Sequence, residues 1–149
     1  MENSLVLFKP DSVQRGLVGN LISRLESKGL KIVGMKLINI SQDLAQQHYG
    51  EHVGKPFFSG LVDFITSSPV VASVVAGDNA IDVVRGLMGA TNPLDASPGT
   101  IRGDLAASIG MNLVHGSDSR ESAMREIDLF FEPDEIVSYD RTIDAWLYE

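Results

Sequence analysis

The chain has 149 residues, 44% hydrophobic and 21% charged, a composition that fits one soluble domain with a substantial core and excludes an intrinsically disordered chain. Twenty acidic against 12 basic side chains leave a formal net charge of -8, so nucleic acid is not expected as the main ligand, nor an anionic membrane surface as a partner. The absence of cysteine excludes disulfides and thiolate chemistry. No apolar run approaches the roughly 18 residues of a membrane span, and residues 1–4 carry no basic leader, so a cytoplasmic protein without a membrane partner is expected.

Residues 4–8 are an apolar run that reads as a buried strand, stopped at Pro10. Asp11 with Gln14 three residues on makes an approximate capping box for a first helix, whose core stripe is Val13, Leu17, Leu21 and Leu25 despite Gly16 and Gly19. Lys9 stands at the strand's mouth, either as a solvated charge or as a contact for an anion. Residues 31–40 read as a half-buried strand with Val33, Met35 and Leu37 on one face, and Ser41 starts a short helix. His48 and His52 are expected at the surface; no carboxylate or cysteine pattern joins them to His115, so no protein-held metal is expected. Tyr49 is either a core ring or a ring beside a site.

After Lys55-Pro56 comes a helix carrying Leu61, Phe64 and Ile65. The adjacent rings Phe57 and Phe58 point about 100° apart on a helix, so one is left to line a cleft. Residues 69–76 are β-branched and apolar enough for a central strand; a helix through Ile81, Val84 and Met88 follows and carries Arg85. Residues 89–104 contain Pro93, Pro98, Gly99 and Gly103 and no helical or strand period. Loops of that length are usually functional, the alternative being a surface insertion.

The chemistry concentrates in Asn112-Leu113-Val114-His115-Gly116-Ser117-Asp118-Ser119. Leu113 and Val114 suit a strand, Gly116 a turn, and Asp118 with Glu121 an approximate capping box for a helix over residues 119–131. A histidine with a reference pKa of about 6.5 is mostly neutral near pH 7 and offers a lone pair to a phosphoryl group. The alternative is a histidine that ends a strand and satisfies a carbonyl. On the following helix Ala123, Ile127 and Phe130 face the core, with Ser122 and Glu126 on the adjoining side, so a carboxylate can reach back to orient the ring. An acidic turn follows at residues 132–135, and Trp146 and Tyr148 suggest a docking tail, on its own subunit or on a neighbour. The element order contains a split β-α-β pattern twice, without an internal repeat. It fits an α+β fold: a ferredoxin-like four-stranded antiparallel sheet covered by helices on one face, with a long loop that the resemblance described next implies is nucleotide-binding.

Residues 112–118 resemble the N-x-x-H-G-S-D signature of the nucleoside diphosphate kinase family, and the resemblance extends from Phe8-Lys9-Pro10-Asp11 to Trp146-Leu147-Tyr148-Glu149. It implies a single domain over residues 1–149 and a phosphotransferase in which His115 takes the γ-phosphate of a nucleoside triphosphate, such as ATP, and passes it to a diphosphate. Mg2+ would be bound through the nucleotide phosphates. By the same resemblance Lys9, Arg85, Thr91 and Arg102 hold the phosphates, Asn112 meets the ribose and Phe57 stacks on the base, with broad nucleotide specificity. Tyr49 would lie beside the phosphate site, and Glu126, through Ser117 or Ser122, would orient His115. Neither a P-loop nor a kinase glycine loop is present, so side chains must do the holding. Self-association as a homohexamer is also implied. The competing expectation is a non-catalytic nucleotide-binding or interaction module on the same scaffold. Ser12 and Met111 depart from the family's usual glycine or alanine and arginine, departures expected to touch only local contacts at a subunit edge.

Overall fold

A computed structural model describes residues 1–149. Strand β1, Glu2–Phe8, is buried at every residue from Ser4 onward, and β3, Val70–Gly77, is buried throughout. Such strands cannot present one face to water. They occupy the centre of a four-stranded antiparallel sheet of order β2-β3-β1-β4, with β2 at Lys31–Ile38 and β4 at Val114–Gly116 on the edges.

Helices therefore cover both faces, not the one face that the element order suggested. Leu5, Leu7 and Val74 pack with Val62, Ile65 and Phe130, beneath helices α3 (Gln42–His48), α4 (Phe58–Ile65) and α7 (Arg120–Phe130). The residues between them in the strands, Val6, Phe8 and Val75, pack with Leu21, Leu25, Val84 and Ile101 from α2 (Val18–Ser27), α5 (Ala80–Met88) and α6 (Ile101–Leu105). The period of two along each strand feeds two separate apolar layers.

Several local expectations are corrected. The first helix is two pieces, α1 (Pro10–Gln14) and α2, because Gly16 sits at φ 66° and breaks the run; only Leu21 and Leu25 of the stripe are fully buried. Its entry carries no side-chain cap, since the carboxylate of Asp11 is turned to residue 113. In β2 a bulge between Ile32 and Gly34 keeps Val33 in the core but passes Met35 and Leu37 to the other face, where they are 47% and 65% exposed. The stretch 89–104 is not wholly irregular: a 3-10 turn covers Pro93–Asp95 and α6 starts at Ile101, capped by the Thr100 side chain. Helix α7 is capped by Ser119, whose hydroxyl accepts the Ser122 N–H at 3.0 Å, so the Asp118 box does not form.

The backbone on the approach to β4 is held from several sides. Leu113 holds φ 75°, a left-handed conformation that disfavours side chains. Asp11 Oδ2 accepts its N–H at 3.0 Å, and its carbonyl accepts from the Ser12 hydroxyl at 2.6 Å and from the Lys9 N–H at 2.9 Å. Ser12 is fully buried in this clamp, not placed at a subunit edge, whereas Met111 is exposed. Two residues further on, His115 pairs with Leu7 of β1. The clamp thus fixes the register of the strand that carries the imidazole.

Candidate active site

His115 stands on an edge strand, and Glu126 reaches it from α7. Glu126 Oε2 lies 3.0 Å from His115 Nε2, and the Ser117 hydroxyl donates to Glu126 Oε1 at 2.6 Å. Ser117 is itself held by β1, since its oxygen accepts the Leu5 N–H at 3.1 Å. Of the two serines offered by the sequence, Ser117 engages the carboxylate; Ser122 donates its backbone N–H to the helix cap. Burial pushes the Glu126 carboxyl up, but hydrogen bonds from His115 and Ser117 outweigh it and hold the group below the usual carboxylate range. An ionised carboxylate only accepts hydrogen bonds, so Nε2 carries the proton of the neutral ring and Nδ1 keeps the lone pair.

The ring opens into a cavity of ≈ 680 Å³. Lys9, just past the end of β1, lines it with Arg85 of α5 and Arg102 of α6, as do Thr91 and Asn112. A hollow of ≈ 800 Å³ beside the N-terminus is larger, but it offers only the Glu2–Arg120 pair with Asp78 and Asp128 nearby and gathers no comparable cations.

Lys9 Nζ donates to Asn112 Oδ1 at 2.9 Å, and the Asn112 amide donates to the Thr91 carbonyl at 3.0 Å. Burial, with Arg102 nearby, pushes the Lys9 amine down to about 8. Arg102 is buried and its donors meet three carbonyls, those of Asn112 (3.2 Å), Gly89 (3.1 Å) and Val114 (2.8 Å). Burial and the charge of Arg85 push it down to about 10, which leaves it cationic near neutrality. Arg85 is exposed, and its guanidinium makes no hydrogen bond to the protein. One cation is thus built into the wall, one is half-sequestered and one is exposed with its donors unengaged by the protein.

Phe57 lies at the mouth, 51% exposed, with the His52 ring edge-on at 5.2 Å and Lys55 Nζ 5.7 Å from its centroid. Phe58 turns inward against the core, as two adjacent rings must divide. Tyr49 serves both expectations at once, packing against the core while lining the cavity; burial and the Glu126 charge push its phenol up to about 12.

His48 corrects the sequence reading. It is 5% exposed, not a surface residue, and its ring lies 4.7 Å from that of His115 and 5.4 Å from Phe130. As the last residue of α3 it had no visible partner in sequence, because Glu126 and His115 reach it only through the fold. The clamp by Asp11 and Ser12 was also missed; its sole signal was the short polar pair directly after Lys9-Pro10.

The family model described as nucleoside diphosphate kinase matches residues 2–136. Curated relatives with that name include one from Desulforamulus reducens, 58% identical over 149 residues, and one from Carboxydothermus hydrogenoformans, 59% identical, each alignment covering both chains in full. Among solved structures, a halophilic nucleoside diphosphate kinase from Halobacterium salinarum in complex with CDP is 55% identical with a TM-score of 0.97, covering 99% of each chain. A family protein from Babesia bovis is 43% identical with the same TM-score, covering 99% of this chain and 100% of its own. The α+β sheet and the sequence together define a phosphotransferase. The chain belongs to the nucleoside diphosphate kinase family.

Proposed function

We propose that residues 1–149 act as one domain that moves the γ-phosphate of a nucleoside triphosphate to a nucleoside diphosphate through a phosphohistidine at His115. The observation that carries this is the His115 Nε2–Glu126 Oε2 contact of 3.0 Å, which leaves Nδ1 as the nucleophilic nitrogen. In the first half-reaction the Nδ1 lone pair forms the N–P bond as the bond from the γ-phosphorus to its bridging oxygen breaks, and the diphosphate leaves. The second half-reaction reverses this on another diphosphate. Glu126, held by Ser117, stabilises the positive charge that the ring acquires. Lys9, Arg85, Arg102 and Thr91 hold the phosphates, Tyr49 flanks the reacting group and Asn112 meets the ribose. Base stacking on Phe57 accepts any base, since each has a π-face.

The Lys9, Arg85 and Arg102 set suits an anion and offers no cage of oxygens for a hard cation, so Mg2+ fits as an ion carried on the nucleotide phosphates. It would supply further charge neutralisation at the phosphates. The exposed edge of β2, with Met35 and Leu37, and the exposed rings of the tail support self-association; we assign a homohexamer, in the cytoplasm. No helix is long and apolar enough to cross a membrane.

The test is incubation with Mg-ATP alone, followed by intact-mass measurement. One acid-labile phosphoryl group per chain is expected, discharged by GDP and absent in His115→Ala. Nucleotide binding without any adduct would favour the non-catalytic module instead.

A further inference from the structure

His48 has the environment of a ligand without a ligand's task. Both of its ring nitrogens are buried and neither has a hydrogen-bond partner in the protein. Its Nδ1 lies 3.8 Å from Glu126 Oε2, the oxygen that also meets His115 Nε2 at 3.0 Å. The ligand atoms of His48, His115 and Glu126 all fall within 4.8 Å of one another. Tetrahedral zinc with bonds of about 2.0–2.1 Å spaces its ligand atoms about 3.4 Å apart, so small rotamer adjustments bring the three around one ion. Two imidazoles and a carboxylate with a fourth position open to solvent are a donor set suited to zinc. The sequence paired Glu126 with His115 but left His48 at the surface; the fold discards His52 and brings His48 to that pair.

We propose that His48, His115 and Glu126 form an inhibitory site for Zn2+, distinct in donor chemistry from any ion carried on nucleotide phosphates. The site itself rests on geometry, and its inhibitory effect rests on the reading of His115 as nucleophile. Coordination through Nε2 places the proton of the neutral ring on Nδ1. The lone pair that would attack phosphorus is then bound to hydrogen, and Glu126 is drawn from the ring to the ion. The enzyme is held in the unreactive tautomer, with no change in the cations that bind phosphate.

The experiment is calorimetric titration of nucleotide-free protein with ZnCl2, followed by 15N NMR of the histidine rings in the same sample. The expected result is one Zn2+ per chain, with affinity falling at least about tenfold in both His48→Gln and Glu126→Gln, since each removes a ligand. In wild type the His115 signals move to a metal-bound Nε2 and a protonated Nδ1, a readout that needs no variant to fold. Phosphoryl uptake from Mg-ATP slows in proportion to zinc occupancy. Lack of a one-to-one isotherm, unchanged affinity in both variants, or bound zinc that leaves the His115 ring signals in place would each overturn the proposal. Uptake by the zinc-free sample is measured alongside, so failure of the phosphohistidine reading appears separately as no adduct without metal.

Discussion

In the proposed transfer Lys9 holds phosphate and Ser117 supports the ring's partner, so their variants should separate binding from chemistry. The Lys9 amine, pushed down to about 8, is mostly charged at pH 7. Bound phosphate favours the charged form, so affinity is full below that value and falls as pH rises through it, by up to about tenfold per unit. Diphosphate Kd measured from pH 7 to 9.5 should show this decline in wild type and a flatter profile in Lys9→Gln. Ser117 touches no nucleotide atom in the proposed mechanism; it positions Glu126 through the 2.6 Å hydrogen bond. Ser117→Ala is expected to lower kcat by about 10–100-fold with KM little changed, the range for losing a supporting hydrogen bond behind a catalytic group. Equal loss in KM would show that the serine serves binding instead.

At the level of elements, α7 delivers Glu126 and depends on its Ser119 cap. Ser119→Ala should destabilise the protein by about 1 kcal/mol in urea melts, the usual cost of an N-cap hydroxyl. Strands and helices were largely legible in the sequence because apolar periodicity is local: the runs at residues 4–8 and 69–76 fall within β1 and close to β3. What was not legible depended on partners. A capping residue is chosen by which hydroxyl the turn aims inward, so Ser119 displaced Asp118. A bulge at Val33 inverts the facing of Met35 and Leu37 without any change in local pattern. The second helical layer was missed although β1 is apolar at consecutive positions, which already demands cover on both sides. In the cavity, His115 and Lys9 were singled out by strand-end position and residue chemistry and Asn112 by the motif resemblance, whereas the burial of His48 is visible only once α3 meets α7.

For the molecule as a whole, acid sensitivity follows from that buried ring. Burial, reinforced by His115, pushes His48 down to about 3, while an unfolded histidine takes its proton near pH 6.5. Below about pH 6.5 the unfolded state binds the extra proton, so stability is full above that pH and is lost towards pH 3 at up to about 1.4 kcal/mol per unit. Glu126, held below the usual carboxylate range, adds to the loss at lower pH. Urea melts between pH 7.5 and 4 should give this slope in wild type and a shallower one in His48→Gln. The assembly prediction is separate: sedimentation should give six times the 16.1 kDa chain mass. A monomer or tetramer would overturn the hexamer without touching the chemistry.

The clamp at Leu113 also bears on how the protein is made. Lys9 and Asn112 meet across 103 residues of chain, and Asp11 and Leu113 across 102. On a ribosome the amino-terminal strand emerges long before its partner, so β1 waits with one side unpaired until β4 is synthesised. A nascent chain stopped before residue 112 has the residues of β1, β2 and β3 but lacks His115, Ser117 and Glu126. On the proposed mechanism the group that accepts the phosphoryl is therefore among the last parts of the site to be made, so a prematurely released fragment is expected to carry no transfer activity.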